Sequence, residues 1–329
     1  MTDHQHPARA LRRPLIAALL CTLCGTAAAA EQMRLAHSLP EDNPVHVAMV
    51  RFADLVKQKT QGEIEIKVFP NGQLGQEREL LEQVQNGVLE MTKVNASPLE
   101  TFAPEYKVFN LPYVFRDKQH FFKVVEGPIG ESILAASSKK GFIGLTFYDS
   151  GSRSFYGKKP INTPDDLKGM KIRIQQSPTT IKMMQALGAA PTPMPWGEVY
   201  SALQMGVVDG AENNLTALTS GRHGEVSKYF SFDEHQIVPD VLVISTTKWD
   251  TLKKPQQDAI RAAAKESFDF QKKAWADFEK AERAKAEKMG VTFSTPNKAA
   301  FVAKVKPMIE AERKNAKLGA LLDQIIAVK

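Results

Sequence analysis

The chain has 329 residues, 43% of them hydrophobic and 24% charged, a composition that packs into one or two globular domains and excludes a disordered or fibrous protein. Its formal net charge is +6. Arg9, Arg12 and Arg13 against Asp3 place +2 of that in the first thirty residues, leaving about +4 on a body without any basic block. Such a balance gives little support to nucleic-acid binding, and an anionic small ligand suits it.

Residues 1–30 read as a secretory signal peptide cleaved near Ala30. The arginines form its basic start, Pro14 to Leu23 its apolar core, and Ala27 to Ala30 its small-residue cleavage site. The apolar run is too short to span a bilayer. Both cysteines, Cys21 and Cys24, fall inside this segment, so no disulfide or thiolate chemistry is expected in the exported protein. Each follows a leucine, where a lipid-anchored cysteine takes a small residue.

From Met33 the pattern alternates strand and helix. A strand over 33–37 ends in the polar loop 38–44, and a helix over 47–59 stops near Gly62. A strand over 63–68 alternates apolar and charged residues, so one of its faces is wet. Pro70-Asn71-Gly72 turns the chain into a helix over 76–86, followed by a strand over 91–94. In open α/β sheets ligands sit at the carboxyl ends of strands. Ser38, Glu77, Asn95 and Ser97 lie at such ends and are plausible site residues, with capping and turn formation as their alternative role, and His37 joins Ser38, Glu77 and Asn95 as candidate ligand-lining residues.

Helices are expected over 118–125 and 128–140, then a buried strand over 142–148. The small, polar stretch 149–157 marks a crossing between domains and carries Arg153. A strand over 170–175 follows, then a proline turn at 193–195 with Trp196 heading a helix, and an acid-amide cluster at 209–214. The chain is expected to be mostly helical to 228, strand-like at Phe230 and Phe232, and to return to the first domain through an apolar strand over 237–245. A long helix over 255–289 carries Ile260, Phe268, Trp275 and Phe278 on its apolar positions, which suits packing across more than one unit. A strand over 291–293 and two helices close the chain.

No metal spacing stands out among the seven histidines, and no glycine loop cradles phosphate. Gly151-Ser152-Arg153-Ser154 lacks the Gly-x-Ser-x-Gly elbow of a serine hydrolase. The stronger signal is Arg173, an always-charged guanidinium inside a strand-like apolar run, where it needs an anionic partner. Lys171, Arg173 and Gln175 share one strand face. Arg153 and Asn213 offer further donors to a carboxylate, and Trp196 a flat apolar wall. Either a ligand carboxylate or an adjacent Glu212 or Asp209 answers the Arg173 charge.

The run from Lys171 to Ile174, followed by Met194-Pro195-Trp196-Gly197-Glu198-Val199-Tyr200 and the stretch through Asp209-Gly210-Ala211-Glu212-Asn213, resembles the signature of TRAP transporter solute-binding proteins, the DctP family. Phe69 to Gly75 and Phe109 to Phe115 resemble further family segments, so the likeness covers nearly the whole mature chain. It implies an α/β fold of two periplasmic-binding-protein-like lobes joined by hinge strands, with a long helix spanning both. The lobes are expected to comprise 31–150 with about 238–275, and 151–237 with about 276–329. By the same resemblance Arg173 forms the salt bridge to a ligand carboxylate, Arg153 is a second carboxylate-contacting arginine, Asn213 supports them, and Trp196 is the aromatic wall.

The implied function is capture of an organic acid by a monomeric periplasmic receptor, without cofactor, for delivery to membrane permease subunits. The hydrogen-bonding first-lobe residues favour a hexuronate or aldonate over a C4-dicarboxylate, because Glu77 would repel a second carboxylate. The rival of another class is a secreted sugar-acid lyase, with Glu212 or His235 as its base.

Overall fold

The computed structural model describes residues 1–3 and 30–329; the expected signal peptide lies almost wholly outside them. In chain order the strands are β1 (Glu31–Ala36), β2 (Ile64–Phe69), β3 (Met91–Asn95), β4 (Phe142–Tyr148), β5 (Ser152–Gly157), β6 (Lys171–Ile174), β7 (Ala190–Pro193), β8 (Gly210–Asn213), β9 (Tyr229–Ile237), β10 (Asp240–Ser245) and β11 (Thr292–Ser294). They form two sheets, ordered β2-β1-β3-β10-β4 and β11-β9-β5-β8-β6-β7. The alternating Ile64-Glu65-Ile66-Lys67 places β2 at an edge. The nearly continuous apolar run of β10 suits its interior position, covered on both faces. Two prolines confine β7 to the opposite edge of the second sheet.

Strand polarity brings the polar ends together. In the first sheet β1, β2 and β3 run parallel, while β10 runs antiparallel, so that Asp240 at its start lies opposite Asn95 at the end of β3 and Tyr148 at the end of β4. In the second sheet β6 runs parallel to β7 and β8, and β5 antiparallel to β8, with Ser154 opposite Asn213. Arg153 therefore sits at the same sheet end as Asn213. The small, polar stretch around Arg153 is thus an interior strand, whereas the sequence marks it only as a crossing.

The crossing itself is confined to Asp149–Gly151. Gly151 takes φ +66°, which a side chain would strain. The helix Lys254–Lys288 clamps it: Gln271 Nε2 donates to the Asp149 carbonyl (2.7 Å), and the Asp149 amide donates to Gln271 Oε1 (2.8 Å). This helix packs Ile260, Ala264, Phe268 and Trp275 into the first lobe's core and Ala286 into the second's.

The end of the chain corrects the expected lobe assignment. Helix Lys298–Arg313 buries Phe301 and Val305 with Phe155, Ile172 and Met183 of the second lobe. Helix Ala316–Ala327 instead buries Leu318, Leu322 and Ile325 with Val108, Phe121 and Val124 of the first. The apolar face of that last helix, more than sequence adjacency, decides where it docks. The region expected to be mostly helical to 228 contains only the short helix Thr216–Thr219 and a 3-10 turn, His223–Glu225.

A buried ion chain ties β5, β8 and β9. Asp233 Oδ2 is 2.8 Å from His235 Nδ1, His235 Nε2 is 3.6 Å from Glu212 Oε2, and Glu212 pairs with Arg153. Tyr113 joins it from the first lobe, its hydroxyl donating to Asp233 Oδ2 (3.2 Å) and its amide to the His235 carbonyl (2.8 Å). Burial acts to lower the His235 pKa, but Asp233 and Glu212 together raise it to about 9. Because the folded value lies above the unfolded one of about 6.5, this stabilisation is complete below about pH 6.5 and is lost as pH rises through about 9. Melting temperatures followed across that window should fall for the wild type and show a clearly shallower slope for His235→Gln. Equal slopes would refute the charged state assigned to His235.

Candidate ligand-binding cleft

Two cavities differ in what lines them. One of about 470 Å³ lies along the outer edge of β4, walled by Leu134, Ile143, Phe147, Arg261 and Phe268, and includes none of the predicted site residues. The other, of about 160 Å³, sits between the lobes at the convergent strand ends. Its size is below the roughly 300–1,000 Å³ of drug-sized pockets, which suits a compact ligand. It brings together Ser38, Glu77, Asn95, Arg153, Arg173, Gln175, Trp196 and Asn213.

His37 is the predicted residue that does not line it. Its side chain turns away, with Nε2 3.0 Å from His46 Nδ1, while Nδ1 accepts from the Leu39 amide (3.1 Å). Burial, reinforced by Lys93 and His46, lowers its pKa to about 2, so the ring is neutral. It shapes the loop that presents Ser38 and makes no wall of its own.

Arg173 points from β6 into the second-lobe wall and is 2% exposed. Nε and Nη2 donate to the Met194 carbonyl at 3.0 and 2.7 Å. Nη1 is buried with no hydrogen-bond partner among the described residues. Glu212 is not its ion pair. That carboxylate belongs to Arg153, whose Nε and Nη2 donate to Glu212 Oε2 and Oε1 at 2.5 and 2.9 Å. Burial works to raise Glu212, but Arg153 and His235 pull its pKa down to about 2. The carboxylate alternative left open by the sequence thus applies to Arg153, and Asp209 accepts from the Lys171 backbone instead.

Asn213 Oδ1 accepts from Arg153 Nη1 (2.9 Å) and from the Asn214 amide (2.8 Å). Those bonds fix its amide flip, leaving Nδ2 toward the cavity it lines. Gln175 and Trp275 also line the cavity, and their Oε1 and Nε1 are buried without partners among the described residues. Trp196 lies against Gly221 and the His223 ring, with ring centroids 4.8 Å apart. A Cβ at Gly221 would come within 2.7 Å of the indole, so this glycine makes room for the aromatic wall. At the rim, Gly197 N donates to Gln76 Oε1 (3.3 Å) and Ser220 Oγ to Asp42 Oδ2 (3.4 Å), joining the lobes.

The first-lobe floor contains two residues that sequence reasoning missed. Lys93 Nζ lies 2.7 Å from Glu77 Oε1 and 3.2 Å from Asp240 Oδ1. Asn95 Nδ2 donates to Asp240 Oδ1 (3.1 Å), and the Asn95 amide donates to Glu77 Oε1 (3.2 Å). Burial pushes Asp240 up and Lys93 pulls it down, for a net rise. Burial likewise opposes the Lys93 charge, but Asp240 and Glu77 raise its pKa. The available signal was a lysine inside the short strand expected over 91–94, which the structure buries on both faces.

The site has the parts of a receptor. Glu212 and His235, the two bases considered for a lyase, are committed to the ion chain and do not line the cavity. Among the described residues no group of three His, Cys, Asp or Glu side chains is placed to hold a metal ion. What the cleft offers is an unpartnered guanidinium edge on one wall and a hydrogen-bonding floor opposite.

Known proteins share the chain's sequence and fold over most of its length. The family model for bacterial extracellular solute-binding protein, family 7 (DctP) matches residues 35–315. An uncharacterised protein of Salmonella typhimurium, YiiZ, is 41% identical over 315 residues, 95% of this chain and 96% of its own. A TRAP periplasmic solute-binding protein from Xanthobacter autotrophicus Py2, solved with bound β-D-galacturonate, is 43% identical with a TM-score of 0.88, covering 91% of this chain and 100% of that one. One from Anaerococcus prevotii, solved with bound α/β-D-glucuronate, is 38% identical with a TM-score of 0.87, over 90% of this chain and 97% of that one. With likeness of this extent in sequence and fold, the chain belongs to the DctP family, the solute-binding proteins of TRAP transporters.

Proposed function

We propose that the protein captures a sugar acid, a hexuronate or similar aldonate, between its lobes in the periplasm and delivers it unchanged, as a monomer, to the membrane permease of a TRAP transporter. The observation that carries this reading is Arg173 Nη1, buried in the cleft without a partner among the described residues. An orphaned buried donor costs about 1–3 kcal/mol, more when charged, and a ligand carboxylate removes that cost. Asn213 and the spare N–H of Arg153 stand beside it. Glu77, Asn95 and Ser38 on the opposite lobe supply partners for hydroxyls. The uronates bound by the two solved relatives support the same chemistry.

Closure follows from the geometry. A ligand anchored on Arg173 and read by Glu77 and Asn95 contacts both lobes at once, and so favours the closed form over the open one. The rim bonds from Gln76 and Asp42 form only when the lobes meet. Flexure at Asp149–Gly151 and at Val238–Pro239, where the chain passes between sheets, permits the motion. For location, the signal segment supports export. Among the described residues no helix is long and apolar enough to cross a membrane.

A thermal-shift screen tests the ligand class: glucuronate or galacturonate should raise the melting temperature, through binding to the folded state, while succinate and malate should not. The reverse pattern would sink the sugar-acid reading. Arg173→Ala should weaken binding by about 2–5 kcal/mol, roughly 30-fold to several thousand-fold. Retention of affinity within about threefold would remove Arg173 as the anchor.

A further inference from the structure

The floor of the cleft carries a charge pattern that sets its selectivity. Lys93 is 1% exposed, and its ammonium lies between two carboxylates. Each carboxylate commits one oxygen to the protein: Glu77 Oε1 accepts from Lys93 and the Asn95 amide, and Asp240 Oδ1 accepts from Lys93 and Asn95 Nδ2. Glu77 Oε2 and Asp240 Oδ2 take no hydrogen bond among the described residues, and these side chains line the cavity. Lys93 uses two of the three N–H bonds of its ammonium. The patch thus presents two free acceptors and one free donor side by side.

Neighbouring hydroxyls are the complement of such a patch: each donates to a carboxylate oxygen, and one accepts from the ammonium. A carboxylate is not. Among the described residues the cation of the floor, Lys93, is already matched by Glu77 and Asp240. Arg78, the other first-lobe cation at the cavity, is half-exposed and paired with Glu82 at 3.1 Å. The unmatched positive charge lies across the cleft, at Arg173.

We propose that Lys93, Glu77 and Asp240 form a specificity-determining triad that reads a vicinal diol at the end of the ligand remote from its carboxylate, and that rejects a second carboxylate there. This rests on the sugar-acid reading and goes beyond it. It separates a hexuronate from the aldarate of the same carbon skeleton, a diacid that differs only in the oxidation state of the far terminal carbon. Seating an aldarate on Arg173 drives its second carboxylate toward the buried Asp240 and the partly exposed Glu77, whose shared cation Lys93 is already matched by both.

Isothermal titration with D-glucuronate and D-galacturonate, against D-glucarate and galactarate, tests this in the wild type, Glu77→Gln and Asp240→Asn. The wild type should bind the aldarates on the order of 100-fold more weakly than the uronates. Each amide variant should lose uronate affinity and narrow that gap by about tenfold or more, since one repelling charge is gone. Aldarates binding the wild type within threefold of the uronates would overturn the triad and leave the sugar-acid reading standing. A gap unchanged in folded variants would also overturn it. Should a variant not fold, the wild-type ratio and the other variant decide. Binding of succinate or malate with no uronate binding would overturn both readings.

Discussion

The structure turns on a guanidinium that is buried but only half satisfied. Taking a charge out of water costs several kcal/mol even after relaxation, and Arg173 is held there by two bonds to a single carbonyl, that of Met194. Those bonds fix the plane of the group and leave Nη1 without a partner among the described residues, on a residue that lines the cleft. A neighbouring carboxylate exists in Glu212, but Arg153 occupies both of its oxygens. The result is a buried cation whose Nη1 meets no anion among the described residues.

The division of labour between the two arginines explains the surrounding architecture. Arg153 is a structural cation, locked into the chain of alternating charges from Asp233 through His235 and Glu212, and it holds Asn213 in the orientation that faces the cavity. Arg173 is the one left with an unpartnered nitrogen among the described residues. Both depend on strand polarity, because β6 and β8 end, and β5 begins, at the same edge of the second sheet. The first sheet answers with the ends of β1, β3 and β4 and the start of β10. The cleft is therefore polarised, cationic on one wall and rich in acceptors on the other, and a ligand with one acid end and one hydroxylated end fits that polarity.

Much of this was legible in the chain. Arg173 announced itself because a lone arginine between isoleucines breaks the pattern of a buried strand. The long helix, the helix start beside Glu77 and the strand-end placement of Asn95 followed from periodicity and from the geometry of open sheets. What was hidden depended on tertiary contacts. Lys93 reads as an ordinary alternating residue unless one knows that β3 is covered on both sides. Asp240 reaches the floor only because antiparallel pairing sets it opposite Asn95. His37 was misjudged for a related reason: position at a strand end does not fix side-chain direction, and His46 captured the ring. The small residues before Arg153 masked a central strand because Gly, Ser and Arg carry little strand signal. The last helix left its expected lobe because docking is decided by an apolar face with no marker in local sequence.

A crystal structure of the protein with D-galacturonate tests the central claim most directly. The sugar's carboxylate should lie within hydrogen-bonding distance of Arg173 Nη1 and Asn213 Nδ2, with ring hydroxyls on Glu77, Asp240 and Lys93. A carboxylate seated on the first-lobe floor, or a sugar bound elsewhere with Arg173 Nη1 still unpartnered, would contradict it.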